Sequence, residues 1–328
     1  MELKLEEARQ LAVRLLRQYG VSADYAAIVA DHLVDAAMAG HAFAGLPRVL
    51  ALIENLQQQN RTTPVEVVRE TANSALIDGG NHNGYVTSVI GMDKAIELAR
   101  ANGVGIVGVR NTWFSGRLAY YVERAAREDL IAFHTATSTA RVAPHGGIDR
   151  IFGTNPVAFA FPSDDGPVVV DFGTGSTTWG EVLLRKRTGR KLDPDTAVDP
   201  DGAPTDDPAS ALAGAILPWG GHRGSGLSLV VQILGILAGG STVVEDISNC
   251  GFFFVAIDPA LLKPVADFKT EVAALADRIR TSRPADGQPN VRFPGDASRQ
   301  RRKEAQARGT IHVDDTIYAT LMSHLERV

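Results

Sequence analysis

Between Ala75 and Thr137 the chain switches repeatedly between two periods. ALID is followed by a helical pattern near Val86 to Ala101, VGIVGV by another near Leu118 to Glu128, and LIAFHTAT closes the run. Short β-branched segments alternating with amphipathic segments of period 3.6 specify an α/β fold, because each pattern buries its apolar residues on one face only in its own geometry. Beyond Arg141 the rhythm changes. VAFAFP and VVVDF are separated by too few residues for a crossover helix, which favours antiparallel pairing. The expected fold is therefore α/β with a mixed, largely antiparallel sheet.

At 328 residues the chain exceeds the size at which one core usually stops growing, so two lobes are expected. Residues 4 to 19 and 23 to 39 carry apolar positions at helical spacing, with Gly20 and Gly40 placed to end the helices and Ser22 to cap the second. A helical lobe over 1–74 is expected to be joined by closing helices over 296–328. Residues 75–295 form the α/β domain, its 118–140 region contributing to the cleft. GLSLVVQILGILAGG, Gly226 to Gly240, is too short to span a bilayer and reads as a buried helix. A helix is also expected near 260 to 281. The acid-, Pro- and Gly-rich stretch 188–209 is long enough to signal function or disorder.

Thirty-three basic and 38 acidic residues give a formal charge of −5, with no basic face or tail, which argues against a nucleic-acid partner. The single Cys250 permits no intrachain disulfide. MELKLEEARQLAVRLL has acids and helical period where a signal peptide would have basic residues and an apolar run. A cytoplasmic protein without a membrane partner or a metal is expected. No G-x-G-x-x-G joins the first strand to a helix, so a nucleotide would be held by another device than the Rossmann turn.

Four segments carry candidate chemistry. GTNP, Gly153 to Pro156, offers hydroxyl, amide and backbone N–H groups, although an ordinary Asx-type turn would look the same. VAPHGG, Val142 to Gly147, makes a second turn. GGHRGSG, Gly220 to Gly226, precedes the long apolar helix, and an arginine at a helix N-terminus opposes the dipole unless an external anion is present. In GHAFAGLPR, Arg48 could clamp a carboxylate with its guanidinium fork or simply sit in solvent.

Taken together these segments resemble the type 2 malate/L-lactate dehydrogenases, a family that includes sulfolactate and ureidoglycolate dehydrogenases and the Δ1-piperideine-2-carboxylate/Δ1-pyrroline-2-carboxylate reductases. The resemblance rests on G-x-x-x-x-G-x-x-R at 40 to 48, VRN at 109 to 111 with Tyr120 and Tyr121, ARVAPHGG at 140 to 147, FGTNPVAFAFP at 152 to 162, VVDF at 169 to 172, D-x-D-G-x-P-T-x-D at 199 to 207, LPWGGHRGSGLSL at 217 to 229 and FPGD at 293 to 296. FAFP with ALAGAILPWGGHRGSG looks most like the cyclic-imine reductase branch.

The resemblance implies a non-Rossmann site for NADH or NADPH, a helical substrate-side lobe, and a homodimer acting on a small carboxylated substrate. It implies Arg48, Arg141, Thr154, Phe43 and Phe114 on the substrate. For the cofactor it implies Asn155, Pro156, Ser115, Gly116, Asp171, Ser176, His222, Arg223, Gly224 and Pro294.

Three positions depart from the family pattern. Phe43-Ala44 replaces a Ser-His pair, Phe114 stands where a histidine acid/base is usual, and Arg141 stands where lysine is common. A positioned acid contributes about 10²- to 10⁴-fold in rate. Reduction of a ketone needs that acid, whereas a protonated ketimine already carries its proton, so the losses favour an imine. Asp199, His41 and His145 are the remaining candidates for the proton donor, with Asp199 equally readable as a turn aspartate. A nucleotide-binding protein without turnover, or an enzyme for a bulkier aromatic substrate lined by Phe43, Trp113 and Phe114, are the alternatives.

Overall fold

The computed structural model describes residues 1–58, 62–288 and 290–326. In chain order the elements are β1 (Glu2–Lys4), α1 (Leu5–Gln18), α2 (Ala23–Met38), α3 (Pro47–Gln58), β2 (Glu66–Glu70), β3 (Ser74–Asn83), α4 (Gly84–Asn102), β4 (Val104–Trp113), α5 (Ala119–Arg127), β5 (Ile131–Ala136), β6 (Val157–Phe161) and β7 (Val168–Phe172). They continue with α6 (Trp179–Arg187), β8 (Ala197–Val198), α7 (Pro208–Ala213), β9 (Ala215–Ile216), α8 (His222–Leu237), β10 (Cys250–Ile257), α9 (Val265–Arg280), α10 (Asp296–Arg308), β11 (Thr310–His312) and α11 (Asp315–Leu325). No described helix is long and apolar enough to cross a membrane.

The chain divides into two compact units. One draws on Met1–Arg61, Ser163–Val168 and Ala266–Val328, the other on Thr62–Pro162 and Val169–Val265. The expected boundaries at 74 and 295 are corrected by strand pairing and helix packing. β2 runs antiparallel to β3 with Val67 opposite Ile77, so residues 66–70 belong to the sheet, and α9 from Ala266 onward belongs to the helical unit.

In the helical unit, Ala8, Leu11, Ala12, Leu15 and Leu16 bury one stripe of α1. The Ser22 hydroxyl accepts from the Tyr25 N–H at the start of α2. Gly20 and Gly40 both follow helices with φ near +87°, a conformation glycine adopts at no steric cost. A buried pair of Arg302 Nε and Asp35 Oδ1 at 2.9 Å ties α10 to α2. The short antiparallel ladder of β1 and β11, Leu3 opposite Ile311, was not legible in the sequence.

The second unit is built on a seven-stranded sheet in the order β2-β3-β4-β10-β5-β6-β7. β3 and β4 are parallel across α4; β2–β3, β4–β10, β10–β5 and β5–β6 are antiparallel. α4 closes on one face, where a side chain on Gly91 would strike Phe254, and α8 on the other, where Gly108 faces Ala238. Buried in this sheet, His134 stacks on Phe254 at 4.0 Å and shares a hydrogen bond between Nδ1 and the Phe253 carbonyl. Burial drives its pKa down to about 3.

Two expectations change here. α8 is not buried all round: Leu229, Val230, Ile233, Ile236 and Leu237 lie 41–69 % exposed along one side. Its apolar residues encircle the helix, so periodicity could not say which of them meet the sheet. The 188–209 stretch is ordered, because Val182, Leu192, Ala197, Ala211 and Ile216 share a core with Val142 and Phe152, and Lys191 pairs with Asp206 at 2.7 Å.

Candidate active site

Two bends converge on the first turns of α8 within the sheet unit. The hairpin from Arg141 to Phe152 closes where the N–H groups of Arg141 and Val142 both donate to the Phe152 carbonyl, and GTNP follows directly. Asn155 adopts φ +32°, a left-handed conformation that asparagine tolerates better than most residues. Its buried amide donates to the Ser228 carbonyl at 3.2 Å and to Gln232 Oε1 at 3.0 Å, while its Oδ1 accepts from the Ser138 N–H. Ser228 in turn donates to the Thr174 hydroxyl, which donates to the carbonyls of Thr154 and Asn155. The network locks GTNP and the 173–176 strap onto α8.

A recess of about 360 Å³ with a mixed lining includes His145, Ser176, Asp195, Trp219, Gly220 and Gly221. A second, mostly apolar recess of about 380 Å³ is lined by Phe172, Gly173, Gly175 and Trp219. His145 and His222 are exposed, with ring centroids 6.2 Å apart, and the Ser225 hydroxyl accepts from the His145 N–H. Arg223 is exposed beside them at the start of α8. Gly224 is obligatory, since a Cβ there would lie 2.0 Å from the Trp219 carbonyl oxygen. Ser176 spends its hydroxyl on the carbonyls of Thr196 and Leu217.

Arg141 lies half-buried with its guanidinium carbon 4.3 Å from the Trp179 ring centroid, and Arg150 reaches the same indole at 5.5 Å. Burial first, and the Arg150 charge second, hold the Arg141 pKa below the usual guanidinium range. Arg150 donates to the Leu212 and Gly214 carbonyls, and among the described residues neither arginine forms an ion pair with a carboxylate. Such a cationic pair invites an external anion. The Trp179 shelf was missed because a lone tryptophan in a helix reads first as core.

Phe114 sits half-buried at φ +52°, a strained conformation for an aromatic residue, and packs on Trp113 at 5.4 Å. Ser115 and Gly116 continue this bend, and Tyr121 donates to the Ser115 carbonyl at 2.6 Å. In the helical unit, Arg48 lies over the Phe43 ring at 5.1 Å, Phe43 is 38 % exposed, His41 Nε2 is 3.5 Å from the Ser298 hydroxyl, and Pro294 is exposed just before α10.

Three of the residues singled out in the sequence spend side-chain groups within the protein. Asn155 is a structural clamp, its amide fully engaged within the protein. Asp171 accepts from the Ala119 N–H at 2.8 Å and so caps α5; burial raises its pKa against the lowering effect of that bond. Asp199 accepts from the N–H groups of Asp201 and Ala203 through one oxygen, which makes it the anchor of a turn. Pro156 immediately precedes β6, its carbonyl accepting from the Ala136 N–H. Thr154 stays half-buried, its hydroxyl 3.4 Å from that of Ser138.

A glycine-lined recess, an adjoining apolar one and the Arg141–Arg150 pair, which among the described residues meets no carboxylate, suit the phosphates, sugars and planar rings of a dinucleotide. The model of the malate/L-lactate dehydrogenase family matches residues 3–322. The L-sulfolactate dehydrogenase of Methanocaldococcus jannaschii is 34% identical over 98% of this chain and 95% of its own length. Ureidoglycolate dehydrogenase (NAD(+)) of Escherichia coli O157:H7 is 33% identical over 98% and 95%. The crystal structure of Δ1-piperideine-2-carboxylate reductase from Pseudomonas syringae superposes with a TM-score of 0.88 at 27% identity, covering 99% of each chain. The chain belongs to the malate/L-lactate dehydrogenase family and is a nicotinamide-dependent oxidoreductase.

Proposed function

We propose that the chain is an NAD(P)H-dependent reductase of a small carboxylated substrate, a cyclic or N-substituted imino acid in preference to a 2-keto acid. One observation carries this reading: hydrocarbon rings, Phe43 and Phe114, occupy positions where the family pattern has or adjoins ionisable groups, while Arg141 keeps an unneutralised charge. When bound, the reduced nicotinamide supplies a hydride. Arg141 holds the substrate carboxylate, and Thr154 offers its hydroxyl to the remaining polar group. A protonated ketimine accepts the hydride at carbon and becomes a neutral amine, so no acid is needed in the transition state. A ketone would leave an alkoxide that needs a proton donor, a role for which the exposed His145 is a candidate.

Likeness to a piperideine-carboxylate reductase supports the substrate class; sulfolactate and ureidoglycolate relatives support the carboxylate but not the imine. Steady-state assays with NADH and NADPH against imino and keto acids test it. An imine is expected to be reduced at least tenfold faster than pyruvate or oxaloacetate, and equal rates overturn the preference. The same reading includes a homodimer, supported by the exposed apolar side of α8. Light scattering of Ile233→Glu is expected to report a monomer.

A further inference from the structure

We propose that Trp219 is the stacking platform for a planar ring of the dinucleotide, with the ring in the Phe172–Gly175 recess and the polar remainder of the cofactor in the adjoining recess toward Arg223. The proposal rests on the cofactor reading above and adds a residue and a direction to it.

Trp219 is the wall that the two recesses share. Its backbone is pinned on both sides: the N–H donates to the Thr174 carbonyl at 3.1 Å, and the carbonyl oxygen packs where Gly224 has no side chain. Gly220 and Gly221 follow at φ +60° and +62°, turning the chain sharply into α8. A backbone fixed this firmly nevertheless holds an indole 39 % exposed, although burying it would have stabilised the fold. Phe172 meets the indole edge-on, centroids 5.9 Å apart and planes at 76°, so the ring is braced from the side. Gly173 and Gly175 add no side chains to the floor. The result is a flat, braced, half-open aromatic face, the surface on which planar heterocycles stack.

The second recess shares this indole in its lining. There Ser176, His145 and the turn at Gly220 and Gly221 lead to Arg223 and the N-terminal end of α8. Ring recess and charged helix start thus lie in sequence along one surface, the order in which a nucleotide presents base, sugar and phosphate.

The test compares wild type, Trp219→Phe and Trp219→Ala by calorimetry and by tryptophan emission on titration with NADH and NADPH. Of the three tryptophans, Trp113 is buried and Trp179 is engaged by two arginines. Trp219→Phe is expected to bind within about twofold of wild type while losing the largest part of the emission quenching. Trp219→Ala is expected to bind about tenfold more weakly, with the fold retained and the melting temperature modestly lowered by loss of the Phe172 contact, and Trp219→Phe separates the two effects. Titration with reduced nicotinamide mononucleotide and with ADP-ribose identifies the ring: the half-molecule whose affinity falls in Trp219→Ala is the one stacked. Wild-type affinity in Trp219→Ala, or unaltered quenching in Trp219→Phe, overturns the platform while leaving the cofactor reading standing. No heat from wild type with either coenzyme overturns both.

Discussion

Two groups of polar residues meet at the first turns of α8 and differ in where their hydrogen bonds go. Asn155, Thr174, Ser228 and Gln232 are buried and spend their donors on one another and on neighbouring carbonyls. His145, His222 and Arg223, a few residues away, face solvent. The first group costs stability if disturbed, because each buried polar atom left unpaired loses about 1–3 kcal/mol. The second contributes little to folding and is free to engage a ligand. Polar turn residues therefore divide into those that build a site and those that serve it, and burial decides the division.

The largest expected effect is on the buried side. Asn155→Ala strips donors from Gln232 Oε1 and the Ser228 carbonyl and places alanine at a positive φ, so stability should fall by about 3 kcal/mol in denaturant titrations. Weakened coenzyme binding without that loss would break the comparison. His134 sharpens it from deeper inside. Its folded pKa of about 3 lies below the ordinary 6.5, so the unfolded chain takes up the proton first as pH falls. Stability should decline by about 1 kcal/mol per pH unit from 6.5 toward 4, measured by denaturation at several pH values. On the exposed side, Arg223→Gln should leave stability within about 0.5 kcal/mol and raise the Kd for NADH or NADPH about tenfold by calorimetry, the difference shrinking with salt. The smallest effect belongs to Asp199→Asn. Asparagine can keep both backbone acceptances, so turnover should stay within about threefold; a hundredfold loss would return Asp199 to the role of acid.

Much of the fold was legible. Ser22, Gly20 and Gly40 cap the helices as their residue types require, and the strands at 75, 104, 131, 157 and 168 follow apolar runs visible in the chain. EVVRE was missed because an exposed edge strand has no buried face to create a pattern. The site was legible as segments rather than as roles. Asn155, Asp171 and Asp199 belong to residue types that anchor turns and caps as readily as they touch ligands, and only the positions of their partners distinguish the two. Trp179 and Trp219 were passed over for the opposite reason, since a large aromatic residue defaults to the core, and only measured exposure and ring contacts show otherwise.

α8 carries Arg223 in its first turn and Leu237, 69 % exposed, at its far end, about 21 Å away at 1.5 Å per residue. It is thus a rigid rod with a charged tip and a greasy flank. Should two copies meet along that flank, any coupling between coenzyme occupancy and association would be reciprocal, so that a dependence of coenzyme affinity on protein concentration would report it.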